Sequence, residues 1–569
     1  MVHSTALSDA SKKIRQQNLA ALSFSAVAIL ICLFGNLGAI GLTGPDEPRY
    51  AWIARAMAET GDWVTPRLYG QPWFEKPVLY YWAAAAGFRA GFSAEWAARL
   101  PSAFAALLAA AAISWLAWKF FSPAKDFVRG PALFAPLLFS TSVAAVGFSR
   151  AATSDMLFSA FLAVAMAFAA AILARSRSLA PASAESPASQ TGDLPALLGW
   201  GAALGLAVLA KGPAALILAA GSVALWVLAT RHWRASLRLL HPAGIAAFAV
   251  VALPWYALCA HRNPDFLAIF FWRHNVERYL TPLFQHVQPF WYFAPIFILA
   301  LLPWAILLYP AARAAFLQFR AKSFAASPAF FFACWVFFPI LFFSFSQSKL
   351  PGYILPSMPA AALLLGVTWS RISQSSAESP LPFRISVVGL GLTWILLAAA
   401  SLLWLHRLPL YKQEDFSSAL FPLAAVASLG GLLIACFGFR RRPFAFIATV
   451  ALTAALVAGS AHDFFRALDP YVSARPQAAL LRSSRFPDRI FTYQLPRSWD
   501  FGLAFYFHRE LPEWTPADPR AALLLTTPEG FAEIKRQGRF GGTLEENYRG
   551  VLLVPVLPSS RADSPAPPR

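Results

Sequence analysis

The sequence predicts a polytopic α-helical membrane protein, and three observations predict it. Of its 569 residues, 58% are hydrophobic and only 13% charged, a balance well outside that of soluble domains. The apolar residues gather into long runs, many near the roughly 20 residues a helix needs to cross a ~30 Å hydrocarbon core. The net charge of +19 falls on alternate loops, as the positive-inside rule requires of a membrane protein, so no nucleic-acid partner is expected.

The elements follow in order. Residues 1–19 form a cytoplasmic N-terminus bearing Lys12, Lys13 and Arg15. The first apolar run, Asn18 to Leu42, is too long for a signal-peptide core and reads as a retained span over 20–42. Further spans are expected at 99–118, 131–148, 155–174, 195–210, 213–230, 243–260, 291–309, 328–346, 352–370, 385–405, 417–438 and 443–461, about thirteen in all. Every inside loop is then basic: Lys119, Lys125 and Arg129; Arg175 and Arg177; Arg231, Arg234 and Arg238; Arg313, Arg320 and Lys322; Arg371 and Arg384; Arg440, Arg441 and Arg442. Carboxylates fall mostly on the other side. The run "VLYYWAAAAGFRAGF" (78–92) is too short for a span and is expected as an interfacial helix with Tyr80, Tyr81 and Trp82 at headgroup depth. The first outer loop therefore covers 43–98.

An odd number of spans places 462–557 outside. This region reads as a small α/β domain: a helix over Ala474–Arg482, a strand over Arg489–Gln494, "ALLLTT" followed by the helical "PEGFAEIKRQ", and a closing strand "GVLLVPVL". The tail 558–569 and the loop "SRSLAPASAESPASQTGD" have the composition of disordered segments. Cys32, Cys259, Cys334 and Cys436 lie in or beside apolar runs and carry no disulfide or zinc pattern.

The outer loop opens "GPDEPRYAWIARAMAETG". Pro48 suits the first turn of a helix, Asp46 and Glu47 can accept its free amide hydrogens, and Gly61 ends it. Trp52, Ile53, Ala56 and Met57 share one face, so the helix is expected to lie along the membrane surface, with Arg49 and Arg55 reaching for polar partners. Capping weighs evenly against chemistry for the two carboxylates. Further outer hairpins bring Arg150 and Asp155; Lys211; Arg273, His274, Glu277 and Arg278; and Lys349 and Tyr353 to the same depth. Singly these residues read as snorkelling or paired side chains. Jointly, lysines at outer span ends oppose the positive-inside trend and call for an anionic ligand such as a lipid phosphate. A transporter would instead carry ionisable groups near midplane, where these spans have almost none.

The stretch "DEPRYAWIARAMAETGDWVTPRLYGQPWFEKPVLYYW" resembles the first outer loop of the bacterial aminoarabinose transferases and their relatives in the protein O-mannosyltransferase superfamily. "RLPSA", "SRAATSDMLF", "LAKGP", "LPWY" and "SKLPGYILP" extend the resemblance to about residue 370, and Val78 stands where the family has a second proline. The resemblance implies a GT-C fold and an inverting glycosyltransferase of the inner membrane with its site facing the periplasm. The donor would be a polyprenyl-phosphate sugar and the acceptor a lipid A-type glycolipid or, alternatively, a protein. It makes Asp46 and Asp155 the catalytic carboxylates. Arg49, Tyr50, Lys76, Lys211, Arg278, Lys349 and Tyr353 become the donor-phosphate and substrate residues. Asp46 would be a general base toward a hydroxyl acceptor and a positioning group toward a phosphate. No cofactor is required. Glu75 is a candidate ligand for a divalent metal, with His274 or His286 beside it, although neither spacing is diagnostic.

Overall fold

The computed structural model describes residues 2–122, 130–175, 193–281, 286–321, 323, 325, 327–374, 380–406, 414–440, 442–482, 490–518, 522–540 and 552–557. Lys125, Arg129, Arg177, Lys322, Arg441, the Pro/Ser/Ala-rich loop over 176–192 and the tail 558–569 lie outside them.

The helices run in chain order as α1 (Val2–Phe34), α2 (Asp46–Thr60), α3 (Leu79–Arg89), α4 (Ala94–Phe121), α5 (Pro131–Ser140), α6 (Val143–Ser149), α7 (Asp155–Arg175), α8 (Leu194–Lys211) and α9 (Ala214–Thr230). They continue as α10 (Trp233–Ser236), α11 (Pro242–Arg262), α12 (Arg278–Leu280), α13 (Phe293–Ala300), α14 (Leu308–Arg320), α15 (Pro328–Ser344), α16 (Met358–Gln374), α17 (Pro380–His406), α18 (Glu414–Phe439) and α19 (Pro443–Val472). The last are α20 (Arg475–Arg482), α21 (Arg497–Phe507) and α22 (Pro528–Arg536).

Among the described residues, eight helices are long and apolar enough to cross a membrane, or ten when each of two bent pairs makes one span. Three shorter apolar helices, Leu19–Phe34, α9 and α15, coincide with the remaining runs expected from the sequence. Three expected spans are not the straight rods the apolar runs suggest, and the 131–148 run is one of them, bent by 61° between α5 and α6. The 291–309 run breaks, and Phe290–Ala300 meets Trp304–Arg320 at 108°; Pro303 at the break has no amide to continue the ladder. The first helix stops at Phe34 instead of Leu42, with Asn36 in the left-handed region. The carbonyls freed beyond it are used elsewhere: those of Leu37, Ile40 and Gly41 accept from Arg99, and those of Gly38 and Ala39 from Arg475. α7 and Pro351–Ser373 are the most enclosed spans, whereas α11, α17 and α18 keep most of their surface on the outside of the bundle.

The two helices expected to lie in the interface pack much of their apolar surface against protein. α2 buries Tyr50, Ile53, Ala54, Arg55 and Met57 on several faces, packed between α3 and α4 on one side and α21 on the other. On α3, Tyr80 and Tyr81 are covered by protein rather than presented outward. Both are almost fully buried against Tyr50, and the Tyr80 hydroxyl donates to the Ala98 carbonyl at 2.8 Å. Short amphipathic helices read alike whether lipid or protein covers the apolar face.

Between α2 and α3 the strands β1 (Arg67–Leu68) and β2 (Gln71–Pro72) form a short hairpin; after α19, which runs on past the expected span end to Val472, the chain forms a three-stranded sheet of β3 (Ile490–Tyr493), β4 (Ala522–Thr526) and β5 (Leu552–Val556). β3 and β4 are parallel, β4 and β5 antiparallel. The strands and α20 match the expected positions; α21 was not foreseen. This region is tied back to the bundle. Arg475 bonds Asp469 and Glu95, the Tyr506 hydroxyl donates to Glu95 at 2.8 Å, and the Leu42 amide donates to Tyr506.

Candidate active site

The adjacent carboxylates of α2 have different fates. Glu47 is 5% exposed and fully engaged: Arg99 donates to it at 3.0 and 2.6 Å, and the amides of Thr43 and Ala152 donate at 2.7 Å each. Burial pushes its carboxyl up, but the Arg99 charge and these hydrogen bonds hold it below the usual range. Glu47 thus staples α2 to α4 and to the turn before α7. Asp46, one residue earlier, keeps 49% of its side chain exposed and meets Arg49 at 2.5 Å. Burial of its inner part raises its carboxyl, Arg49 lowers it and Glu75 raises it again.

From Asp46 an ionic chain runs through elements distant in sequence. Arg49 also pairs with Glu75 at 2.9 Å; Glu75 meets Lys76 and Arg278 at 3.4 Å each; and the Arg278 Nε donates to the Tyr353 hydroxyl at 3.0 Å. Lys211 pairs with Asp155 and sits over the Tyr353 ring, 5.1 Å from its centroid. Tyr50 packs beneath Arg49. Local sequence explains the delivery. Gly212, at φ 92, ends α8 directly after Lys211, a backbone that L side chains resist. Gly352 lets the turn Pro351–Ser357 close on Asp155: a Cβ there would meet the Phe148 ring at 2.8 Å and the Asp155 carboxylate at 3.4 Å. Arg278 follows a π-helix, Ala268–Glu277, a rare form frequent at functional sites.

Lys76, Lys211, Arg278, Glu75 and Tyr353 line a cavity of about 510 Å³ together with His274, Asn275 and Ser346, and the rest of its walls are mostly apolar, with Phe158, Ile217, Phe271, Phe342 and Phe343 among them. Burial draws the Lys76 ammonium down to about 8 against the raising effect of Glu75. Glu75 is held at about 2, because Lys76, Arg49 and Arg278 outweigh its burial. Burial brings His274 down to about 4, leaving a neutral imidazole beside Glu75. Cations lining a mostly apolar-walled cavity suit an anionic lipid headgroup.

The structure therefore brings together Asp46, Arg49, Tyr50, Glu75, Lys76, Asp155, Lys211, Arg278 and Tyr353. It does not bring in Lys349, whose ammonium donates to the carbonyls of Gln288 and Ser346 at 2.9 and 2.5 Å. Arg150 is likewise a clamp, donating to the Cys32 carbonyl of α1. For a divalent metal the donor set fits poorly. Glu75 faces three cations. Among the described residues no three His, Cys, Asp or Glu side chains gather in metal-binding fashion. Two residues close to Arg49 were missed by sequence reading, Trp73 and Phe501, at 5.4 and 5.7 Å from its guanidinium to the ring centroids. Trp73 lies inside the quoted motif, but Phe501 sits in a region with no motif at all.

Comparison with known proteins places this geometry. The family model for dolichyl-phosphate-mannose-protein mannosyltransferases matches residues 19–270. The crystal structure of ArnT from Cupriavidus metallidurans, bound to undecaprenyl phosphate, superposes with a TM-score of 0.73 at 24% identity, covering 94% of this chain and 97% of that one. That likeness makes the fold the GT-C fold of ArnT. An undecaprenyl phosphate-α-4-amino-4-deoxy-L-arabinose arabinosyl transferase of Erwinia tasmaniensis is 29% identical over 84% of this chain and 80% of its own. A second such transferase, from Sodalis glossinidius, is 30% identical over 540 residues, 92% of this chain and 91% of its own. With that identity sustained almost end to end, the chain belongs to the undecaprenyl phosphate-α-4-amino-4-deoxy-L-arabinose arabinosyl transferase family of membrane glycosyltransferases.

Proposed function

We propose that this protein transfers 4-amino-4-deoxy-L-arabinose from undecaprenyl phosphate to a lipid A-type acceptor at the outer face of the bacterial inner membrane. The observation that carries the reading is the set of cations lining the mostly apolar-walled cavity, with half-exposed Asp46 linked to it through Arg49 and Glu75. The polyprenyl chain lies along the phenylalanine walls, and the donor phosphate is held by Lys76, Arg278 and Lys211. An acceptor oxygen attacks the anomeric carbon as the bond from that carbon to the phosphate oxygen breaks, inverting the centre. The electron pair leaves with the phosphate, whose growing charge the same cations stabilise. Asp155 acts through Lys211, which it holds in place. A phosphate acceptor is already anionic, so Asp46 positions it or its counter-cation; toward a hydroxyl, Asp46 would remove the proton.

The test is transfer by the purified full-length chain from undecaprenyl-phosphate-linked aminoarabinose to lipid A, followed by mass spectrometry. A pentosamine mass increment on lipid A that is lost in Asp46→Asn is the expected result. Absence of the increment with the wild-type chain, or its appearance on protein instead, overturns the acceptor assignment.

A further inference from the structure

We propose that Phe501, on α21 of the C-terminal region, is a positioning residue for this site: its ring is one wall of an aromatic cage that holds the Arg49 guanidinium between Asp46 and Glu75. The inference rests on the reading of Asp46 as the carboxylate of the site.

Three rings surround the Arg49 guanidinium carbon, with centroids at 5.3 Å for Tyr50, 5.4 Å for Trp73 and 5.7 Å for Phe501. They come from α2, from the segment after the Arg67–Leu68/Gln71–Pro72 hairpin and from α21. Hydrogen bonds fix only one corner of the group. Nη2 reaches Asp46 at 2.5 Å and Glu75 at 2.9 Å, while Nε is buried with no hydrogen-bond partner among the described residues. The tilt of the guanidinium is therefore left to the ring faces, which attract a cation within about 6 Å of their centroids. Phe501 is itself located by docking. Its ring lies 6.3 Å from that of Tyr69, and Phe505, one turn along α21, lies under the Arg55 guanidinium at 4.2 Å while its carbonyl accepts from Arg55 at 3.0 Å. Residues four apart on a helix share a face, so one face of α21 grips two arginines of α2.

The groups facing Arg49 are Asp46 and Tyr50 on α2, Glu75 on the loop and Tyr81 on α3. Asp46 also feels Lys76 and Asp155. On the α21 side, Asp500 lies near Tyr69, with Glu510 and Glu513 beyond it. Burial leaves the Asp46 carboxyl above its usual range, and Arg49 is the largest influence lowering it. Releasing Arg49 raises Asp46, so activity that needs the carboxylate is lost at a higher pH as acid is added.

The experiment compares full-length wild type, Phe501→Leu and Phe501→Tyr in lipid nanodiscs, with undecaprenyl-phosphate-linked aminoarabinose and lipid A as substrates. Phe501→Leu fills the space without the ring face. It is expected to lower kcat by about threefold to tenfold, the worth of one cation–π contact, to move the acid limb upward and to leave the donor KM unchanged. Phe501→Tyr keeps the face and is expected to match wild type. A wild-type acid limb in Phe501→Leu, or equal losses in both variants, overturns the proposal. Should wild type itself fail to transfer, the functional reading falls, and the cage is judged by the ionisation of Asp46 in infrared difference spectra against Asp46→Asn. An Asp46 titration at higher pH in Phe501→Leu supports the cage; an unchanged one refutes it.

Discussion

The Glu75 carboxylate meets the Arg49 guanidinium at 2.9 Å, and through that contact the exposed end of α2 is joined to the cations of the cavity. Glu75 also faces Lys76 and Arg278. One buried carboxylate thus offsets the repulsion among three cations, two of which, Lys76 and Arg278, line the cavity.

Removing that offset should be costly. Glu75→Gln is expected to lower kcat/KM by about 30-fold or more, since truncating one partner of a buried charge pair in a binding site costs roughly 2–5 kcal/mol. The Lys76 ammonium loses the anion that raises it, so the alkaline limb of the pH profile should move below its wild-type position. Steady-state kinetics across pH on the folded variant measures both.

Lys76 is expected to set the alkaline limb. With its ammonium drawn down to about 8, the cation is present below that pH and is lost as pH rises through it, so donor binding should weaken above about pH 8. Lys76→Arg, charged throughout this range, is expected to flatten that limb even where it lowers the rate. Donor KM against pH distinguishes the two.

Asp155 and Lys211 should behave as one unit. Asp155→Asn and Lys211→Ala are each expected to reduce transfer, and the double variant to be little worse than either, with a coupling of about 1–3 kcal/mol in a double-mutant cycle. Additive losses would separate the roles of the two residues.

Glu47 and Arg99 should matter to stability instead. Arg99→Met leaves Glu47 buried without its cation and is expected to destabilise the fold by about 3–5 kcal/mol. The folded-state carboxyl lies below its unfolded value, so its contribution is complete above about pH 4.3 and fades as pH falls through the folded value. Thermal unfolding in detergent at neutral and acid pH checks the size and the direction.

Lys349→Ala should leave transfer by the folded protein within about threefold of wild type while costing about 1–2 kcal/mol of stability for the two lost carbonyl contacts. Thermal melts read beside activity separate it from Lys76→Ala, for which activity should fall first.

How much of this was legible depended on the range of the forces involved. "DEPRYAWIARAMAET" declared a helix ending at Gly61 through its proline and glycine, which act within one turn, although neither flanking carboxylate caps the helix start: no side-chain cap bond is made there, and Glu47 turns to Thr43 and Ala152 instead. "LAKGP" and "SKLPGY" carried their own reason, since Gly212 permits the positive-φ turn after Lys211 and Gly352 the close approach to Asp155 beside Tyr353. Sequence reading did not separate Asp46 from Glu47, because the difference lies in Arg99 and Ala152, far along the chain. Lys349 looked like Lys211 for the same reason: a lysine at a span end reads identically whether it faces a cavity or two carbonyls.

The sequence by itself determined the membrane class, the run of apolar helices, the basic loops and the residue types gathered beside the outer loop, because hydrophobic length and local turn chemistry are properties of short stretches. Only the tertiary structure decided that α2 and α3 pack much of their apolar surface against protein, that Glu75 is the hub of three cations, and that Phe501 completes the cage around Arg49. Those outcomes depend on packing between segments hundreds of residues apart, and the same apolar face or charge satisfies lipid, water or protein equally well until the fold supplies one of them.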